Sequence, residues 1–386
     1  CSLLFRILSR TRVLMLCMIL VSCTGQKTGK ENDNNDKIAI EVGEIKFPPQ
    51  DVLQLKSYYL SSSVHVDSID YLIGYNYRLH SLDCMNLKSK SVTQIVLPGD
   101  GPDAIVRLSG IYAQSLDSVW ISDESERAFL IDSVGTIKRM IDLKKYLEDQ
   151  EQLLINTNYA MFTSHLFYNA SRHSLMFLVK HTPSNTFIVK EAFIDEVGKM
   201  ATYQLSSSKV VPDMSKGYAY INFPNVNFVG ENIVYNYPVE SSIYMLDIRT
   251  NERKYILADS HYTSNIIEKC TTSGDYATLE KHWLENSHFY DIMYLPKYKI
   301  YARLHADKVD FDEKKGMEKL INERDLYLML FDENMEKIGE TKLSNCRYSP
   351  FTSWNATYGG IALFVDNVLD EKNNTDDLTI DIISLK

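Results

Sequence analysis

From Ile38 onward, nearly every segment of the chain alternates apolar and polar residues with period two. That alternation limits the fold more than any other feature, because it places apolar side chains on one face of a strand. Tyr, Ile, Val, Phe and Leu dominate these runs, as in 118–122, 174–179 and 327–331. Such residues suit the pleated, half-buried surface of a sheet. Helical periodicity is confined to 144–154 and 313–322, both read as short insertions between strands.

One phrase recurs. An apolar strand ends in Asp, a turn follows, and a second strand ends in an aliphatic residue. The cases are Leu82-Asp83 to Leu97, Ile131-Asp132 to Leu143, Ile194-Asp195 to Leu205, Leu246-Asp247 to Leu257 and Phe331-Asp332 to Leu343. Gly135 and Gly198 each follow the Asp by three residues. Asp can bond its own backbone in a turn and Gly supplies positive φ, so these aspartates are read as turn formers. Repeats of about 40–50 residues built from short strands are the signature of a β-propeller. Residues 38–386 divide into six blades of about 58 residues or seven of about 50, and the loose spacing favours six. Strands near 38–47 and 378–385 are expected to complete one blade together and close the ring. The competing all-β reading is two sandwich domains in tandem, but no Pro/Gly/Ser linker divides the chain.

The start of the chain reads as an address. Arg6, Arg10 and Arg12 precede an unbroken apolar run at 13–21. That run is shorter than the roughly 20 residues a membrane span needs, and it fits a secretory signal. It ends in Leu20-Val21-Ser22-Cys23, which resembles a bacterial lipobox whose cysteine receives the lipid. The alternative is a chance cysteine beside an ordinary cleavage site. The polar stretch 24–37 then reads as a flexible tether. The expected organisation is signal 1–22, tether 23–37 and propeller 38–386, with the mature protein anchored in the outer membrane through Cys23. Formal charge is −10, and about −13 once the signal is removed. That balance argues against nucleic acid as a partner, which needs a basic face. The remaining cysteines, Cys84, Cys270 and Cys346, are odd in number and read as free thiols.

Several segments, taken with the lipobox, carry a resemblance. They are Leu97-Pro98-Gly99-Asp100-Gly101-Pro102 leading to Leu108-Ser109-Gly110-Ile111, Leu116-Asp117-Ser118-Val119-Trp120, Ile131-Asp132-Ser133-Val134-Gly135, Tyr298-Lys299-Ile300-Tyr301-Ala302-Arg303, and 327–332 with Lys337-Ile338-Gly339. Together they are similar to Bacteroidota lipoproteins grouped as the domain of unknown function numbered 4221, and to six-bladed propeller lipoproteins of the same bacteria. The resemblance implies an exported propeller and carries over no catalytic residue.

Chemistry-bearing motifs are scarce. GxSxG, HExxH, P-loop and GxGxxG patterns are absent from the sequence. No metal or cofactor is expected. His165, His173 and His181 recur every eight residues, but intervening turn residues break any common strand, so a shared metal site is not expected. His282, Trp283 and His288 are read as lining a cavity or as exposed loop residues. Propellers bind ligands at the mouth of the central channel. Arg107, Asn236, Glu240, Tyr301, Arg303, His305 and Trp354 fall near candidate inner strands or their loops. In Tyr301-Ala302-Arg303-Leu304-His305 the alternate residues share a face, and a channel-facing Arg303 would suit an anionic or sugar ligand. The alternative for Arg303 is an ion pair between blades. The paired tyrosines, such as Tyr235 and Tyr237, read as packing between blades. The expected function is a lipid-anchored envelope module binding a protein, peptide or glycan. Two others stay open: a hydrolase or lyase acting on a glycan, and a structural envelope protein.

Overall fold

A computed structural model of the chain describes residues 39–48, 55–154, 163–196, 198–211, 217–218, 221–270, 275–352, 354–372 and 377–386. The expected signal and tether, with Cys23, lie outside the described residues. Within the unit 37–386, six antiparallel sheets form. In chain order their innermost strands are Ser61–Val66, Leu108–Ser115, Phe167–Asn169, Asn225–Val229, His288–Leu295 and Trp354–Ala356. These define blades one to six. Blades one to five continue outward through consecutive strands, as in Leu108–Ser115, Ser118–Asp123, Arg127–Ile131 and Ile137–Asp142.

Side chains link each inner strand to the next around a closed ring. Ser62 Oγ accepts the Ala113 amide between blades one and two, and Phe167 meets the Tyr112 ring edge-on between two and three. Ser164 bridges to Val226 between three and four, and Asn227 donates to the Ile292 carbonyl between four and five. Trp354 donates to Asp291 between five and six, and Asn355 to the Ser61 carbonyl between six and one. This ring rules out the tandem-sandwich alternative. As expected, the ring closes by pairing the two ends of the chain. Strand Ile40–Phe47 is the outermost strand of blade six and lies antiparallel to Leu378–Leu385, with Ile40 opposite Leu385 and Phe47 opposite Leu378. Closure of this kind pairs the outer edge of Leu378–Leu385 and leaves Ile40–Phe47 as the blade's outermost strand.

Three of the five repeated aspartates behave as turn formers. Asp132 accepts the amides of Val134 and Thr136, Asp247 those of Arg249 and Thr250, and Asp332 those of Asn334 and Glu336. Gly135 takes the expected positive φ, and a Cβ there would lie 2.5 Å from the Val96 carbonyl oxygen. Asp195 instead pairs with Arg139. Asp83 corrects the reading outright: it is fully buried within strand Ser81–Asn86, and the turn is made three residues later by Asn86. Asp83 accepts from Tyr58 at 2.6 Å, Asn76 at 2.8 Å and Gln94 at 3.1 Å. Blade six repeats the device, with Asp381 accepting from Tyr348 and Arg347, and blade three varies it with Glu191, Tyr203 and Arg172. A buried carboxylate with this many donors is satisfied and pins one strand to its neighbours.

Helix is sparse, as expected, though placed differently. The 144–154 stretch holds only a 3-10 turn, Leu143–Tyr146, followed by strand Glu151–Leu153. Helix Met317–Asn322 falls in the second stretch, while helix Tyr276–Leu284, capped by Asp275, was not signalled by periodicity. That helix is only nine residues and buries His282, Trp283 and Leu284, too narrow a stripe to register as a repeat.

Candidate functional site

The six inner strands enclose an axial cavity of about 410 Å³. Ser61–His65, Ile111 and Tyr112, His165–Phe167, Asn227–Gly230, Asp291 with Tyr294, and Trp354–Tyr358 form its wall, so all six blades contribute. Gly230, Pro296 and Tyr358 lie in hairpins joining first to second strands, which places the mouth on that face of the disc. Two much smaller cavities, of about 20 and 10 Å³, lie beyond His165 and Leu166, which line all three spaces and divide the channel. Gly110 permits that division, since a Cβ there would sit 3.1 Å from the Leu166 Cβ and 2.6 Å from the Ser122 hydroxyl.

His165 reaches the axis through an irregularity in blade three. Strand Ser174–His181 pairs with two separate pieces, Glu151–Leu153 and Phe167–Asn169. The chain just before the second piece attaches to blade four instead: the Thr163 amide donates to Asn225, the Val226 amide to the Thr163 carbonyl, and the His165 amide to the Val226 carbonyl. His165 is thereby projected across the channel toward blade five. There a bulge between Phe289 and Ile292 re-aims the inner strand at Asp291.

The result is a triad drawn from three blades. Asp291 is 2% exposed and accepts from His165 Nε2 at 2.9 Å and from Trp354 Nε1 at 3.0 Å. Trp354 donates to Oδ1 and the His165 ring meets the other oxygen, Oδ2, so an Asp291 carboxylate accepts from both rings. The neutral His165 imidazole then carries its proton on Nε2 and leaves Nδ1 as an acceptor. Nδ1 has no partner among the described residues, and the His165 side chain is 21% exposed. A second pair lies near the mouth. His65 Nδ1 meets Asp70 at 2.7 Å, its ring stacks on Tyr358 at 4.2 Å, and Asp70 also accepts the amides of Tyr358 and Gly359. Aromatic rings complete the wall: Phe167 stacks on Phe228 at 5.1 Å and meets Tyr112 edge-on at 5.1 Å. Among the described residues, no lysine or arginine lines the cavity. Nor does any group of three His, Cys, Asp or Glu residues among them have the arrangement of a metal site.

Of the channel candidates named from sequence, only Trp354 lines this cavity; His165, noted for its eight-residue spacing, lines it as well. Tyr301, Arg303 and His305 share a strand as expected, but Ile300–Ala306 is the second strand of blade five and does not face the channel. All three are buried between blades, which corrects the expectation of a channel-facing arginine. The Arg303 guanidinium donates to the Ser241 carbonyl at 2.6 Å and the Ala258 carbonyl at 3.0 Å, with its carbon 4.8 Å from the Phe289 ring centre. Burial pulls Arg303 down to about 9. His305 Nε2 lies 2.8 Å from Glu340, which also accepts from Ser260 and the His261 amide. Burial pushes the Glu340 carboxyl up, but bonds from His305, Ser260 and the His261 amide outweigh it and hold the group at about 2. Tyr301 packs against Tyr294 with ring centres 5.1 Å apart.

Asn236 and Glu240 are likewise buried, Asn236 beside the Phe289 carbonyl and Glu240 accepting from Tyr244, with burial raising the Glu240 carboxyl. Arg107 is exposed beside Tyr59 and Glu124. The paired tyrosines do pack between strands, with Tyr235 stacked on Tyr244 at 5.2 Å and Tyr237 edge-on to it at 5.8 Å. His282, Trp283 and His288 are buried, and the Trp283 indole donates to His288. His165, His173 and His181 do not converge: His173 and His181 pair with Asp195 and Ser184.

The Asp291 side of the triad had no signal in sequence. Asp291 stands in an ordinary apolar run and lies 126 residues from His165. The one available hint was the irregular, aperiodic stretch before Phe167.

Comparison with known proteins agrees with this fold. The family model described as "Domain of unknown function (DUF4221)" matches residues 31–342. A crystal structure of a member of that family from Bacteroides vulgatus is 14% identical, with a TM-score of 0.74, covering 91% of this chain and 99% of that one. A second, from Bacteroides fragilis and described as a "Putative exported protein", is 13% identical, with a TM-score of 0.55, covering 91% and 97%. No curated protein matches.

Proposed function

This chain belongs to the DUF4221 family, and on that premise we propose that it is a binding module of the bacterial envelope whose ligand enters the axial cavity. The observation that carries this reading is the cavity itself. At about 410 Å³ it lies within the range of small-ligand sites, and it presents a few fixed polar groups among aromatic walls. A protein or peptide would insert a side chain or chain end, and a glycan a terminal unit. The test is a ligand screen of the purified full chain against envelope peptides and oligosaccharides, repeated with Ser63→Trp. Ser63 lies in the wall and is only half-buried, so an indole there fills the space from one side. A ligand bound by the native chain and lost in Ser63→Trp supports the reading. Ligands that bind both equally sink it.

A second reading, a hydrolase or lyase acting on a glycan, draws on the same His165–Asp291 pair, which has the form of an oriented general base. It predicts turnover that is lost in His165→Ala.

For the address, we propose export and a lipid anchor at Cys23 in the outer membrane. The relative from Bacteroides fragilis and the lipobox-like Leu20-Val21-Ser22-Cys23 support this. Metabolic labelling with a fatty-acid analogue is expected to mark the native chain and not Cys23→Ala.

A further inference from the structure

Resting on that reading of the cavity, we propose that its ligand is an organic ammonium group, held between the aromatic wall and the acceptor face of His165. The ionisable lining is the starting point. Besides tyrosines it consists of His65, His165 and Asp291, with no lysine or arginine among the described residues. Asp291 offers one oxygen to the Trp354 indole and the other to the His165 ring, the arrangement of a carboxylate between two donors. His165 is its partner but brings no positive charge in the neutral tautomer, so the pair carries one net negative charge at the floor of the cavity. No cation on the wall offsets it.

The remaining groups suit the same guest. Ring faces attract cations, most strongly in a desolvated site. Tyr112, Phe167 and Phe228 form one connected aromatic surface, and Trp354 sits beside Asp291. The unpartnered Nδ1 of His165 can accept an N–H from a primary ammonium. A carboxylate or phosphate guest would find hydroxyl and amide donors in the wall but no cation, and would meet the carboxylate of Asp291. The shared chemistry is the ammonium, whether from a small organic cation or from a lysine side chain of a peptide.

Calorimetry on the full chain tests the proposal, with choline and Nα-acetyl-lysine amide as probes and Nα-acetyl-norleucine amide as the uncharged control. At pH 8 at least one ammonium probe is expected to bind, and the control about tenfold more weakly or not at all. Choline binding alone identifies a small cation as the natural guest, and lysine amide binding alone a peptide. His165→Lys is expected to abolish binding while its circular dichroism and melting temperature show it folded.

Failure of both ammonium probes at pH 8, or equal binding by His165→Lys, overturns the proposal. If a neutral or anionic ligand is then found that Ser63→Trp blocks, the ammonium assignment falls and the cavity reading stands. If no ligand of any class is sensitive to Ser63→Trp, both fall.

Discussion

Replacing Arg303 with Met separates two roles that its sequence position left open. In the structure Arg303 is fully buried and donates to two main-chain carbonyls of the blade-four side, Ser241 at 2.6 Å and Ala258 at 3.0 Å. Its guanidinium lies 4.8 Å from the Phe289 ring centre and 5.7 Å from that of Phe331. Met keeps most of the stem volume, so little cavity opens. The cost is then two buried carbonyl oxygens stripped of charged donors, at about 1.5 kcal/mol each, or about 3 kcal/mol in total. Relief of the buried charge, which burial already disfavours, works against this figure and makes it an upper value. Urea unfolding followed by tryptophan fluorescence reads the change as a lower midpoint at constant slope. Ligand affinity at the axial cavity is expected to stay within about twofold, because Arg303 is one strand removed from its wall. A variant of native stability that has lost ligand binding would refute the reasoning and return Arg303 to the ligand site.

Two further perturbations test the fold. Glu340 is held at about 2 against a usual 4.5, so its bonds stabilise the folded state above the usual carboxylate value and are lost as pH falls toward 2. Glu340→Gln is therefore expected to melt below the native chain at pH 7, with the gap closing below about pH 4.5; a gap that ignores pH removes this account. Deleting residues 38–47 takes away the closing strand and the fully buried Phe47, whose ring alone contributes about 2 kcal/mol. It also uncovers the Leu378–Leu385 edge, so lower stability and self-association on size-exclusion chromatography are expected. An unchanged monomer would show that closure does not depend on this strand.

The repeat, the six blades and the closing pair were legible because they follow from local patterning. Alternation fixes strands, Asp132, Asp247 and Asp332 bond their own turns, and Ile40–Phe47 and Leu378–Leu385 are the chain's two terminal strands. What stayed hidden depends on position within a blade. Period two puts Tyr301, Arg303 and His305 on one face but does not say whether the strand is first or second from the axis. Asp83 shows the same limit: an aspartate after an apolar run looks alike whether it caps a turn or receives Tyr58 and Asn76 in the core. His165 and Asp291 meet only because a split strand in blade three and a bulge in blade five aim them across the channel, and neither irregularity is periodic.

The most direct measurement of the central claim, that ligand occupies the axial cavity, is the labelling rate of a Ser63→Cys thiol. Cys84, buried and pushed up to about 12 by that burial, and the half-buried Cys270 and Cys346 serve as internal standards, each resolved by peptide mass spectrometry. The account predicts that a maleimide labels position 63 in the free protein and that saturating ligand suppresses this labelling while the other three thiols keep their rates. Unchanged labelling at position 63 under saturating ligand would contradict it.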